Sequence, residues 1–319
     1  MIARNRFLIS AGLSLLGGFV SLRAQDGGAP ARPRILGVAQ ISFYVHDIEV
    51  SRKYYRDFLG YEEAYTLKKP DGSLRAALFK VGDRQTIELV PEIAPATDRL
   101  AHLTLETDDA EALRVYLKSR GIAVPDQVTK GQVTSAYFTA VDPDGHTVEF
   151  AQYSPGSWTI RDVGLHLPAT RISGHMSHAG VSVRHLDAAL KFYGDVLGCT
   201  IVRKGSGNGQ VLSWVNMQVA NGTDWVELML YGGNQPLTLA KLGVNHHFCL
   251  VVPNAAAAGE ILKARPLPPG AKLLPTASVG NDHKRKIQGY DPDGSRIEFM
   301  EPTTIDGVPA PWSSAPPPD

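Results

Sequence analysis

The chain has 319 residues, 43% of them hydrophobic and 20% charged, with 32 basic residues against 32 acidic ones. That is an ordinary globular composition with room for about two domains of the usual ~100–200 residues, and a formal charge of zero gives no basic footprint for nucleic acid. The two cysteines, Cys199 and Cys249, are too few for a disulfide scaffold or a structural zinc cluster, so any metal must rely on His, Asp or Glu.

Residues 1–24 read as a secretory signal peptide. Arg4 and Arg6 precede an uncharged run from Phe7 to Leu22, and Ala24 offers a small residue for cleavage before Gln25. An uncleaved anchor is the competing reading. The run contains Ser10, Gly12, Ser14, Gly17, Gly18 and Ser21 and falls short of the ~20 strongly apolar residues a span requires. The expectation is therefore an exported chain, periplasmic or extracellular, with no stable membrane anchor after cleavage. Cys199 and Cys249 sit in apolar surroundings and read as buried free thiols, with a bridge between them left open.

The first unit runs as a strand at 41–45, a helix at 48–59, and strands at 61–68, 74–81 and 86–90. The helix places Val50, Tyr54 and Phe58 four apart and stops at Gly60, a residue suited to the left-handed C-terminal position. Turn chemistry such as Lys69-Pro-Asp-Gly72 separates the strands. A second unit with the same order of signals runs from about His102 to Tyr153, a third from His178 to Tyr231 and a fourth from His247 to Met300. The halves repeat. Asp47 to Gly60 recurs as His185 to Gly198 at an offset of 138, and Asp142-Pro-Asp-Gly145 with Glu149 recurs as Asp291-Pro-Asp-Gly294 with Glu298 at an offset of 149. The predicted organisation is an N-terminal domain over 35–154, a linker over 155–175, a C-terminal domain over 176–302 and a proline-rich, solvated tail over 303–319. The fold class is α+β, with four βαβββ modules.

Strand parity turns the repeat into a candidate site. The first strand of each unit opens with Gln40, His102, His178 or His247, and side chains alternate faces along a strand. Gln40, Ser42 and Tyr44 thus oppose Ile41, Phe43 and Val45, and His178, Gly180 and Ser182 oppose Ala179, Val181 and Val183. The last strand of each unit sets a glutamate between apolar residues: Glu88, Glu149, Glu227 and Glu298. One such glutamate is ordinarily the solvated face of a half-exposed strand. Four in equivalent places, each matched to a strand-opening His or Gln, point to carboxylates inside a sheet-lined cavity, where they must be paired, protonated or coordinated. Imidazole plus carboxylate suits Zn, Fe, Ni, Mn or Co. His247 is preferred to His246 because Val252 lies five residues after it, as Val45 does after Gln40 and Val183 after His178. Parity then puts His246 on the opposite face.

With its four units, its Phe/Tyr-Tyr-x-x-x-Leu-Gly helix ends, its Asp-Pro-Asp-Gly hairpins and a Glu in each last strand, the chain resembles the vicinal oxygen chelate superfamily, which includes glyoxalase I, type I extradiol dioxygenases and bleomycin-resistance proteins. The resemblance spans Ile35 to Pro302. It implies that modules pair into two cup-shaped domains of mixed, strongly curved sheets, though pairing of the first unit with the fourth is the alternative. It also implies a metal set of His178, His247, Glu298 and Glu227, with a second, weaker set of Gln40, Glu88, His102 and Glu149. Glu227 is then either a fourth ligand or the general base, and His283 is a candidate for the family's catalytic histidine, against its reading as part of an exposed basic loop. Extradiol enzymes usually place a tyrosine where this chain has Gln288. The implied function is a divalent-metal enzyme, Fe(II) favoured over Zn, Ni or Mn, acting on a small substrate with vicinal oxygens. Ring-cleaving or related dioxygenase chemistry is slightly preferred, because an exported protein meets little glutathione. A glyoxalase-type lyase or isomerase and a non-catalytic small-molecule binding protein are the alternatives. Oligomeric state is left open between monomer and homo-oligomer.

Overall fold

The computed structural model describes residues 30–319 apart from 93 and 95–97, so the signal reading of residues 1–24 lies outside the described residues. No described helix is long and apolar enough to cross a membrane.

Two mixed sheets carry the chain. The first comprises β1 (Ile35–Val45), β2 (Glu63–Lys68), β3 (Leu74–Gly82), β4 (Gln85–Pro91), β5 (Leu100–Thr107), β6 (Ala136–Val141) and β7 (Thr147–Gln152), in the order β2-β3-β4-β1-β5-β7-β6. The second comprises β8 (Met176–Val183), β9 (Thr200–Gly205), β10 (Trp214–Gln218), β11 (Trp225–Leu230), β12 (Phe248–Val251), β13 (Lys272–Leu273), β14 (Ser278–Val279), β15 (Lys284–Tyr290) and β16 (Arg296–Thr304). Its order is β13-β15-β16-β12-β8-β11-β10-β9, with β14 beside β15. The opening strands of two units meet antiparallel at the middle of each sheet, β1 with β5 and β8 with β12, and each lies parallel to the last strand of its own unit. Unit one therefore pairs with unit two, and unit three with unit four. The sheets curve without closing, as expected for the α+β modules.

The helices are α1 (Ile48–Lys53), α2 (Ala110–Ser119), α3 (Trp158–Arg161), α4 (Leu186–Ala189), α5 (Leu239–Asn245) and α6 (Ala255–Lys263). Asp47, Asp109 and Asn254 cap α1, α2 and α6, each side-chain oxygen accepting from backbone N–H groups of the first turn. The regular helix expected over 48–59 changes character at Tyr54, where α1 runs on as a π-helical turn, Tyr54–Phe58; α4 does the same over Leu190–Val196. The wider turn brings the adjacent residues Tyr54 and Tyr55, and likewise Phe192 and Tyr193, into the core together. The second unit also departs from the expected three strands after its helix. Its first is reduced to a single bridge between Thr129 and Tyr137.

The inward faces are those parity predicts. Ile41, Phe43, Val45, Ala179, Val181 and Val183 are all 0% exposed. Two matched contacts lock the halves together. Tyr55 Oη donates to Asp291 Oδ2 at 3.1 Å, and Tyr193 Oη donates to Asp142 Oδ2 at 3.0 Å, so the helix of each leading unit rests on the Asp-Pro-Asp-Gly hairpin of the other half. The 155–175 segment is tied down by buried Lys80, which donates to the carbonyls of Asp162 and Leu165, and by Tyr61 Oη, which donates to Ser173 O at 3.1 Å. The proline-rich segment, most of whose residues are exposed, is pinned to the second sheet by backbone hydrogen bonds. Leu212 N donates to Pro316 O at 2.7 Å, Ser313 N to Lys204 O at 2.9 Å and Gly233 N to Asp319 O at 2.9 Å. It crosses the mouth of the second sheet and brings Trp312 to its cavity.

Candidate metal centre

β8, β11 and β16, with the residue just before β12, deliver His178, Glu227, Glu298 and His247 to one concave surface. His178 Nε2 lies 3.3 Å from His247 Nε2 and 3.9 Å from Glu227 Oε2, and His247 Nε2 lies 3.0 Å from the same Glu227 oxygen. Glu298 Oε2 stands 3.8 Å from His178 Nε2. Two ligands each about 2.1 Å from one ion lie about 3.0 Å apart at a right angle and about 4.2 Å apart across it. The spacings of His178, Glu227 and His247 therefore fit donors around a single ion, with Glu298 close to His178 alone among them.

His178, Glu227 and His247 form one mutual group of donors, and Glu298 forms a second with His178 and Cys249. This grouping differs from a triad of His178, His247 and Glu298. The cause is the set of partners on Glu298: Gln288 Nε2 donates to its Oε1 at 3.0 Å, and Lys286 and Arg296 pair with the same oxygen at 3.3 and 3.4 Å. Only Oε2 faces the imidazoles. Burial alone would raise this carboxyl, but Lys286, Arg296 and the two histidines hold it well below its ordinary range. Burial would likewise raise Glu227, and His178 and His247 outweigh it, drawing it down.

His178 is poised as a neutral donor. Burial lowers His178 to about 4, so its lone pair is available at neutral pH. His247 Nδ1 lies 2.8 Å from Asn245 O, which only accepts, and 3.0 Å from Arg296 Nη2, which only donates; metal binding through Nε2 takes the tautomer in which Nδ1 donates to Asn245 O. Asn216, in the amide orientation its neighbours require, donates to Glu227 Oε1 at 3.1 Å and accepts from Trp225 Nε1 at 3.0 Å. Trp225 in turn stacks on His178 with ring centroids 4.9 Å apart.

Space for the His247 ring depends on Gly180. A Cβ there would stand 2.2 Å from two ring atoms, while Gly180 N donates to His247 O at 2.7 Å. Above these donors opens a cavity of about 480 Å³. Its walls include Trp214, Trp225 and Trp312, with Arg203, Lys284, Lys286 and Arg296 set against Asp282, Glu227 and Glu298.

The N-terminal cup has the corresponding residues in a different state. Ser42 occupies the place of Gly180, and its hydroxyl donates to Glu88 Oε2 at 2.6 Å and lies 2.9 Å from His102 Nε2. Gln40 Nε2 donates to Glu88 Oε2 at 3.0 Å and sits 3.1 Å from His102 Nε2. Glu149 is held apart by Thr104, which donates to it at 3.2 Å, and burial raises its carboxyl. Gln40, Glu88 and His102 satisfy one another through Ser42, around a smaller cavity of about 230 Å³. This donor set fits a metal poorly.

Of the other predicted residues, His283 is not brought to the cavity. Its backbone is left-handed at φ 57°, and its ring is 43% exposed and faces Asp306 at 3.6 Å. Its neighbours Asp282 and Lys284 line the cavity instead. His246 lies on the face opposite His247, against Asp98 at 2.6 Å. Cys199 and Cys249 are buried and free, and burial pushes Cys199 up to about 12. Parity on β12 places Cys249 beside Glu298, a position its apolar neighbours in the sequence concealed.

The profile described as the Glyoxalase/Bleomycin resistance protein/Dioxygenase superfamily matches residues 37–150 and 175–299. No curated protein sequence matches the chain. Among solved structures it is similar to the 2,3-dioxygenase LapB from Pseudomonas sp. KL28, with TM-score 0.63, 16% identity, and 88% of this chain and 98% of that one covered. It is similar to homoprotocatechuate 2,3-dioxygenase from Arthrobacter globiformis, with TM-score 0.62, 17% identity and 89% and 86% covered. It is also similar to the Mn(II)-bound glyoxalase from Novosphingobium aromaticivorans, with TM-score 0.62, 15% identity and 89% and 88% covered. The profile covers both repeats and the fold agrees across the chain's length: this protein belongs to the glyoxalase/bleomycin resistance protein/dioxygenase superfamily.

Proposed function

We propose that the C-terminal cup is the active site of a divalent-metal-dependent enzyme acting on a small anionic substrate with two adjacent oxygens. Ring-cleaving dioxygenase chemistry with Fe(II) on a carboxylated catechol is the first reading. The observation that carries the proposal is the convergence of His178, Glu227 and His247, with Glu298 beside His178, beneath a cavity with indole walls and with Arg203 and Lys284 in its lining.

When bound, the ion supplies Lewis-acid activation of adjacent substrate oxygens and, as iron, redox chemistry toward dioxygen. The chain's own residues do the rest. Trp214, Trp225 and Trp312 offer flat apolar surface to an aromatic ring and exclude water from it. Lys286 and Arg296 keep Glu298 ionised, and Lys284 and Arg203 attract a substrate carboxylate. Asn216 fixes the Glu227 carboxylate so that one oxygen faces the imidazoles.

Glu227 supports a second reading, a glyoxalase-type lyase or isomerase, because it adds a carboxylate to the donor group and Gln288 stands where extradiol enzymes usually place tyrosine. Export, proposed from residues 1–24, favours the first reading, since glutathione is scarce outside the cytoplasm.

The test loads the purified protein with Fe(II), Mn(II), Zn(II) or Ni(II) and follows oxygen uptake with catechols that carry or lack a carboxylate, beside His178→Ala. Uptake with the iron form that disappears in the variant supports the first reading. Metal binding with no uptake, but turnover of a hemithioacetal, supports the second. Failure to bind any of these metals overturns the enzyme reading and leaves a non-catalytic binding protein.

A further inference from the structure

Asp98, His146 and His246 form a second group of metal donors outside both cups. One oxygen of Asp98 and one ring nitrogen from each histidine lie within 4.8 Å of one another. Asp98 precedes β5 and His146 lies in the β6–β7 hairpin, whereas His246 ends α5. The group therefore bridges the two halves of the chain.

Each imidazole is gripped at Nδ1 by a carboxylate. His146 Nδ1 lies 2.9 Å from Asp142 Oδ2, and His246 Nδ1 lies 2.6 Å from Asp98 Oδ1. The Asp142 contact is the outer bond that orients a metal-binding histidine, whereas Asp98, which holds His246, is itself a donor of the group. The two rings stand edge to face, with an interplanar angle of 84° and centroids 5.0 Å apart. His246 is 0% exposed, and its Nε2 has no hydrogen-bond partner, an arrangement that costs stability unless something binds there. Asp144, the third carboxylate acting on His146, has a buried Oδ2 that is also unpartnered. Two imidazoles among three carboxylates, with two buried unpartnered atoms, have the chemistry of a cation site.

The fold itself does not demand this chemistry. At the equivalent hairpin of the other half, the place of His146 is taken by Ser295, fully buried, and Asp293 there pairs with Arg99 at 3.5 Å. One interface is closed by an arginine, and the other presents histidines.

We propose that Asp98, His146 and His246 bind a divalent transition-metal ion, Zn(II) by the chemistry of the donors, as a clamp between the two halves. The site is separate from the C-terminal cup, although His246 adjoins His247. A bound ion stabilises the folded chain by mass action.

The test is Zn(II) binding to the chelator-stripped full chain, followed by calorimetry and by metal content after dialysis, with thermal unfolding alongside. Wild type is expected to bind one more equivalent than His146→Ala, and Asp98→Asn to bind that equivalent at least tenfold more weakly. His178→Ala should retain it while losing the equivalent in the cup, so failure of one site is distinguishable from failure of the other. Zn(II) should raise the melting temperature of wild type and His178→Ala by more than that of His146→Ala. Should His146→Ala not fold, Asp98→Asn, changed at a partly exposed side chain, decides alone. Unchanged stoichiometry and affinity in these variants overturns the proposal.

Discussion

The ring of His247 lies over Gly180, so near that a Cβ would stand 2.2 Å from two of its atoms. Ser42 occupies the matching position of the other cup and uses its hydroxyl to join Glu88 and His102. Gly180→Ser should therefore carry the N-terminal arrangement into the C-terminal cup. It is expected to displace the ring and lower metal affinity there at least tenfold while every proposed ligand remains. Metal content after dialysis, with circular dichroism to confirm folding, checks this.

Tyr193 and Asp142 join the halves by one buried hydrogen bond, as Tyr55 and Asp291 do on the other side. Tyr193→Phe leaves the Asp142 carboxylate short of a donor. A loss of about 1–3 kcal/mol in unfolding free energy is expected, read from denaturant midpoints, with metal binding in the cup unchanged.

Asp291 should also make stability depend on pH. Burial and the nearby charge of Asp293 raise its carboxyl from 3.8 to about 7. The folded chain thus holds this proton more tightly than the unfolded chain. The stabilisation is complete below about pH 4 and is lost as pH rises through about 7. At roughly 1.4 kcal/mol per unit the loss is up to about 4 kcal/mol. Asp291→Asn, neutral throughout, should flatten this part of the profile, which denaturation across the same interval would show.

The carboxy-terminal segment should shape ligand binding without shaping metal binding. Arg203 donates to Ala310 O at 3.1 Å and Ser313 is bonded to Lys204, which holds Trp312 at the cavity wall. Deleting the chain after Val308, or Trp312→Ala, is expected to weaken binding of an aromatic diol several-fold at unchanged metal content. Equal ligand affinity in both variants would show that the wall is not part of the site.

Period and repetition made the units, their core faces and the convergence of His178, Glu227, His247 and Glu298 legible in the sequence, because strand parity is a local property. The π-helical turn at Tyr54 was not legible, since spacing by four reads as regular helix until packing demands that Tyr55 turn inward as well. The contacts of Lys286, Gln288 and Arg296 with Glu298 were not legible, because they depend on the register between β15 and β16. Asp98, His146 and His246 come together only when two halves dock. The proline-rich segment has no periodicity of its own, and the backbone groups that hold it lie far away in the sequence.

The central claim is that one ion is held in the C-terminal cup, and diffraction from crystals loaded anaerobically with Fe(II) tests it most directly. The account predicts an anomalous peak within about 2.0–2.3 Å of the Nε2 atoms of His178 and His247 and of a Glu227 oxygen, absent in His178→Ala. A fully loaded crystal with no peak among these residues would contradict it.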